Sequence, residues 1–245
     1  MKNLLSGMLL LVIMSHVSIA QKTTRENQFE GYVITSDMVK SDVAIEVEDI
    51  HQPWSFQENI KYFDKVLLTG ARVKRELKKL CIPGEIIEYG FAGRKFVHVN
   101  YYVKGNEELL TSTLSKIKGD KNTDYFAEVI KEGKVSLLRF YQPPVIAEED
   151  NYNEELMKEY IEASSMGYDI LVARPGQKAQ SIEDVGFKVF FEDCDFVVKK
   201  YEAERYKMKP SKGLKALLKS DRLSGIKLET AARSILADYD AHCAK

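Results

Sequence analysis

Residues 85–103 read EIIEYGFAGRKFVHVNYYV. Ala92-Gly93 divides this stretch into two strands, Glu85–Phe91 and Arg94–Val103, joined by a turn that glycine makes easy. In the second strand Val97, Val99, Tyr101 and Val103 share one face. Phe96, His98, Asn100 and Tyr102 share the other. This hairpin decides the fold class, because its neighbours on both sides repeat it. Upstream, Phe29–Thr35 and Asp42–Asp49 pair around Ser36-Asp37, and Val43, Ile45 and Val47 alternate with acidic neighbours. Downstream, Tyr125–Ile130 and Lys134–Tyr141 pair through Glu132-Gly133. Repeated hairpins with short turns predict an antiparallel sheet, curled or barrel-like.

Segments between the hairpins are less legible. Trp54–Leu68 is mixed and has no clear period. Arg72–Lys79 is basic, with Val73, Leu77 and Leu80 at helical spacing, and a solvated strand fits almost equally. Pro83-Gly84, Pro143-Pro144 and Pro175-Gly176 punctuate the chain. A helix is expected over 154–163 and a short apolar strand over Tyr168–Ala173.

The period then changes. Cys194, Val197, Val198 and Tyr201 fall on one helix face. Leu214, Leu217 and Leu218 suggest a second short helix. Leu228, Ala232, Ile235, Tyr239 and Cys243 form the stripe of a final one. The expected fold is α+β: a β-rich region over 21–145, a connection with a short strand over 146–180, and a helical region over 181–245. Residues 21–245 are read as one domain.

Residues 1–20 carry Lys2, an apolar run over Leu4–Met14, and small residues Ser18 and Ala20 before Gln21. Charged start, short apolar centre and small-x-small end are the pattern of a cleaved signal peptide, with cleavage between Ala20 and Gln21. The run is short of the roughly 20 apolar residues of a membrane span. A secreted or periplasmic protein is expected, with no transmembrane segment after signal removal.

The chain has 36 basic and 37 acidic residues; without Lys2 the remainder carries a net charge of −2. Near-neutrality gives no global attraction to nucleic acid or to acidic membranes. Acidic residues cluster from Glu148 to Glu162 and basic ones from Lys199 to Lys227, and solvated faces explain both better than binding patches.

An oxidising compartment permits a disulfide, and three cysteines leave one over. Cys194 and Cys243 lie on the stripes of two helices and are the expected pair, worth about 4 kcal/mol in the chain-entropy model. Cys81, between Leu80 and Ile82, reads as a small buried hydrophobe. His51, His98 and His242 show no metal-ligand spacing, and His98 is expected to be exposed. No phosphate loop, dinucleotide fingerprint or nucleophile elbow is present, so no catalytic, cofactor or metal residue is nominated.

The order of several segments resembles a loosely defined group of exported, uncharacterised Bacteroidetes proteins. The carrying segments are Gly31–Thr35, Ile82–Phe91, Val129–Leu137, Phe191–Cys194 and Tyr239–Cys243. The resemblance implies export, a β-rich front and a helical end; it implies no activity. The favoured function is a non-enzymatic cell-envelope binding protein, its partner an envelope protein or a small ligand. The alternatives are a small-ligand carrier with a pocket in a curled sheet, and an envelope polymer or glycan hydrolase using carboxylates.

Overall fold

The computed structural model describes residues 25–58, 60–68, 72–101, 124–143, 155–156, 158–159, 162, 167–183, 185–208 and 220–244. The strands are β1 (Gln28–Thr35), β2 (Lys40–Glu46), β3 (Lys61–Asp64), β4 (Lys79–Leu80), β5 (Ile86–Phe91), β6 (Arg94–Asn100), β7 (Asp124–Lys131), β8 (Ser136–Tyr141), β9 (Tyr168–Ala173) and β10 (Gln180–Ser181). They form one ten-stranded antiparallel sheet in the order β10-β9-β8-β7-β6-β5-β1-β2-β3-β4. The sheet is open, and both of its edges are strands of two residues, which limits edge-to-edge pairing.

All three hairpins read from the sequence are present. Ala92 and Gly93 both take positive φ (49° and 73°), the signature of the two-residue type I′ turn. Helices follow the sheet: α1 (Phe187–Phe190), α2 (Asp195–Glu202) and α3 (Ser220–His242). The described residues from 155 to 162 are helical, as expected. Residues 1–24, with the Ala20–Gln21 cleavage position, lie outside the described residues. So do Tyr102, Val103 and the Leu214–Leu218 segment.

The strand register sorts the side chains onto two faces. One face carries Ile45 and Val43, then Gly31 and Val33, Tyr89 and Phe91, Arg94 and Phe96, Phe126 and Glu128, Leu137 and Arg139, and finally Ile170 and Val172. Both ends of this row are apolar, and each has its own cover. Over β1, β2, β5, β6 and β7 the cover is Phe56, from a 3-10 helix at Pro53–Gln57. Over β8 and β9 it is α1, α2 and α3, through Phe187, Phe191, Val197, Leu228, Ala232, Ile235 and Tyr239. The opposite face buries Val99, Tyr125, Ala127, Leu138, Phe140 and Leu171 in one cluster, and Ala44, Phe63, Leu68 and Val73 in another.

Several expectations are corrected by this arrangement. Trp54–Leu68 is untyped in sequence because it is short pieces: the 3-10 helix, β3 and a 3-10 turn at Lys65–Leu67. Arg72–Lys79 is neither a helix nor a long strand. It holds a 3-10 turn at Arg75–Leu77 and the start of β4, with Val73 buried but Leu77 and Leu80 exposed. His98 is half-buried rather than exposed, its Nε2 3.0 Å from Asp124 Oδ1, because the sheet is covered on both faces.

Cys194, the N-cap residue of α2, and Cys243, just beyond α3, form a disulfide with Cα atoms 5.5 Å apart. Cys81 is free and fully buried. Lys200 pairs with Asp238 at 2.5 Å and Lys199 with Asp195 at 3.7 Å, so these two basic residues are answered within the helical region itself. No described helix is long and apolar enough to cross a membrane.

Gly31 sits where strands crowd. A Cβ there would lie 2.3 Å from Gly90 O and 2.9 Å from Ile45 Cγ1. Gly31→Ala is therefore expected to destabilise the protein by about 1–3 kcal/mol, the usual range for overpacking. A urea midpoint unchanged from wild type would show that the β1–β5 contact yields freely.

Candidate functional site

Between the two apolar fields the sheet face is polar. Arg94 on β6 donates from Nε and Nη2 to Glu128 on β7 at 2.8 and 3.0 Å. Tyr141 on β8 donates its hydroxyl to Glu128 at 2.6 Å. Arg139 on β8 makes the matching two-pronged contact with Glu229 of α3, at 2.8 and 3.0 Å. Tyr168 and Arg233 also donate to Glu229, each at 2.8 Å. The Arg94 guanidinium lies over the rings of Phe56 and Phe96, 4.9 and 5.2 Å from their centroids.

Burial pushes the Glu128 carboxyl up. The hydrogen bond and charge of Arg94, with Tyr141 and Arg139 behind them, outweigh burial and hold it below the usual range. Glu229 is held low in the same way by Arg139, Tyr168 and Arg233. The Tyr141 hydroxyl, buried and facing Glu128, is pushed up to about 12. Every group in this band is thus fixed in one charge state. An open cleft of about 660 Å³ lies over it, rimmed by Asp49, His51, Lys158 and Glu162. Two carboxylates held ionised by arginine cannot supply the proton that a glycosidic leaving group needs. The band stitches α3 and the 3-10 helix to the sheet.

A second hollow has the opposite character. Residues 47–60 leave β2, cross to the end of β8, and return to β3. The crossing is pinned by Gln57, whose Nε2 donates to Tyr141 O at 2.8 Å while Tyr141 N donates back to Gln57 Oε1 at 2.5 Å. The Tyr89 hydroxyl donates to Phe56 O from below. Under the crossing lies a half-enclosed cavity of about 280 Å³, walled by Val47, Trp54, Ile60, Tyr125, Phe140 and Tyr141. Gln52, Glu48 and Glu58 add polar atoms.

Glu58 stands apart from the other half-buried glutamates. Glu46 has Lys78 at 2.6 Å, Glu88 has Lys95 at 2.7 Å, Glu128 has Arg94 and Glu229 has Arg139. Among the described residues no cation or hydrogen-bond donor meets the Glu58 carboxyl. Burial alone pushes its pKa up. An uncompensated carboxylate facing a hollow is a signature of sites that receive something.

The residues singled out from sequence fall elsewhere. The Cys194–Cys243 disulfide joins the helices within their own apolar cluster, away from the residues that line the cavity, and is structural. The Cys81 thiol is pushed by burial to about 12, which removes it as a nucleophile. His51 is on the cleft rim, His98 is beside Asp124, and the His242 ring stacks on Phe196 at 3.8 Å. Among the described residues no three His, Cys, Asp or Glu side chains converge as a metal site would require.

Trp54, Gln57 and Glu58 were missed because their segment has no period. Its one signal was the chain's single tryptophan, four residues before Glu58, in a stretch with neither helix nor strand period. Comparisons with family models, with curated proteins and with solved structures found no match to this chain.

Opposite pH responses follow for the two kinds of glutamate. Glu128 and Glu229 have native pKa values below their unfolded ones. Their contribution is complete above the unfolded value, about 4.3, and is lost as pH falls through the native values. Glu58 is the reverse: its raised native pKa favours the folded state below the unfolded value, and that contribution is lost as pH rises through the native one. Glu58→Gln is accordingly expected to raise the urea midpoint at pH 7, with the gain vanishing near pH 4. Glu128→Gln is expected to cost about 3 kcal/mol at pH 7, because it strands Arg94. Denaturant titrations of both variants at the two pH values check the signs.

Proposed function

We propose that this chain is an exported, non-enzymatic binding protein of the cell envelope that takes a small ligand into the cavity under residues 47–60. The observation that carries the reading is Glu58, a desolvated carboxyl with no described partner, on the wall of an aromatic-lined hollow. A carboxyl left in that state lowers stability, and such groups persist where they serve a site. The volume, about 280 Å³, suits a small molecule or one group of a larger one. Ligand binding within the fold ranks above docking of an envelope protein, because the cavity has both a shape and a charge to select with. Export is supported by the signal-like residues 1–20, by the resemblance to exported proteins, and by the disulfide.

One observation favours a second reading. Glu48 lines the same cavity as Glu58, and a carboxyl raised by burial is what a glycoside hydrolase uses as its acid.

Trp54 is the sole tryptophan and lines the cavity, so its emission reports occupancy directly. The full chain, expressed in a bacterial host and recovered from the envelope fraction, should begin at Gln21 by intact mass. Under non-denaturing conditions it should carry a low-mass adduct whose removal shifts Trp54 emission. Retention of residues 1–20 would remove the export part of the proposal. Protein that carries no adduct, and whose Trp54 emission responds to no small-molecule fraction of the envelope, would remove the binding part. Release of soluble sugar from envelope glycan by wild type but not by Glu58→Gln would put the hydrolase in its place.

A further inference from the structure

We infer that the cavity under residues 47–60 selects an organic ammonium group, seating it against the Glu58 carboxylate and the rings of Trp54 and Tyr125. The inference rests on the proposed role of the cavity as a ligand site, and adds the chemical class of the ligand.

Charge is the first argument. The described residues lining the cavity include two carboxylates, Glu48 and Glu58, and no lysine, arginine or histidine. No described ion pair or hydrogen bond engages either carboxylate. The protein elsewhere answers its half-buried glutamates from within, with Lys78, Lys95, Arg94 and Arg139. Here none of the described residues supplies the counter-charge. An anionic guest would repel these carboxylates, and a neutral guest would bring them no counter-charge.

The walls are the second argument. Trp54, Tyr125, Phe140 and Tyr141 are the aromatic residues among those lining the hollow of about 280 Å³. Aromatic faces carry negative potential and attract cations, tryptophan most strongly. A hollow lined by aromatic residues and carboxylates suits alkylated or primary ammonium groups, whose carbon shell takes apolar contact while their charge takes an anion. The lining has only two carboxylates, and among the described residues no three His, Cys, Asp or Glu side chains converge as they would around a metal ion.

The titratable groups that line the cavity with Glu58 are Glu48, from the same crossing segment, and Tyr125 and Tyr141 from β7 and β8. Burial pushes both tyrosine hydroxyls up, so they stay protonated through neutral pH. The site's charge at neutral pH is therefore set by its carboxylates. Affinity for a cation should fall on acidification at a pH above the ordinary glutamate range, because the Glu58 carboxyl protonates early.

The test is a titration of the full mature chain followed by Trp54 emission, with sodium chloride as the ionic-strength control. The probes are choline, n-butylammonium, and the uncharged analogue of choline in which carbon replaces the ammonium nitrogen. The expected result is a saturable emission change with at least one ammonium probe, and binding about tenfold or more weaker for the carbon analogue. Glu58→Gln should weaken the ammonium probe by a similar factor, while its urea midpoint shows that it is folded. Equal binding of choline and its carbon analogue would overturn the ammonium assignment and leave the cavity standing as a ligand site. No response to either ammonium probe would overturn the assignment too. The proposed function would then stand or fall separately, on the adduct carried by envelope-derived protein.

Discussion

The two hydrogen bonds between the Gln57 side chain and the Tyr141 backbone hold the arrangement together. Gln57 is only 3% exposed, and its amide pairs with a strand-end peptide as another strand would. Each bond is worth about 1 kcal/mol net, but an unpaired buried amide or peptide costs more than that. The pairing therefore fixes where residues 47–60 cross the sheet. From that crossing follow the burial of Phe56 over Tyr89, Phe91 and Phe96, and the roof of the cavity. A short β2–β3 hairpin loop would leave one apolar field of the sheet uncovered and would create no hollow.

The sheet face handles its glutamates in two ways. In the polar band, Glu128 and Glu229 are each gripped by an arginine fork and a tyrosine hydroxyl, so their desolvation is offset by charge-assisted bonds. The two pairs tie covering elements to strands: Arg94 lies against Phe56, and Arg139 holds α3. At the cavity, Glu58 has a desolvated environment without the bonds. The contrast inside one protein is more informative than either case alone: the fold compensates buried carboxylates at Glu128 and Glu229, and among the described residues nothing does so at Glu58.

The helical end is organised by different forces. The α3 stripe of Leu228, Ala232, Ile235 and Tyr239 packs on β9, and the Cys194–Cys243 bond fastens the start of α2 to the end of α3. Arg174 and the Tyr239 hydroxyl converge on Asp193, the residue before Cys194, so a polar clasp sits beside the covalent one. This keeps Glu229, on α3, in register with Arg139. The covalent link thus lies at one end of a chain of contacts whose other end is the polar band.

The hairpins, the helical end and the cysteine pair were all legible in the sequence. Val97 and Val99 alternate with Phe96 and His98 because a strand shows its neighbours to opposite faces. Leu228, Ala232 and Ile235 recur at helical spacing because a helix buries one stripe. Such signals are local, and packing against a core reinforces them. The fates of His98 and of Trp54–Leu68 were not legible. The first depended on a second cover over the sheet, and the second on short pieces with no period. Tertiary structure alone decided which of 37 acidic residues would be answered by a cation and which would face a hollow. That outcome depends on β2, β7, β8 and a crossing segment meeting in space, and no periodicity along the chain encodes a meeting between residues as distant as Glu58 and Tyr141.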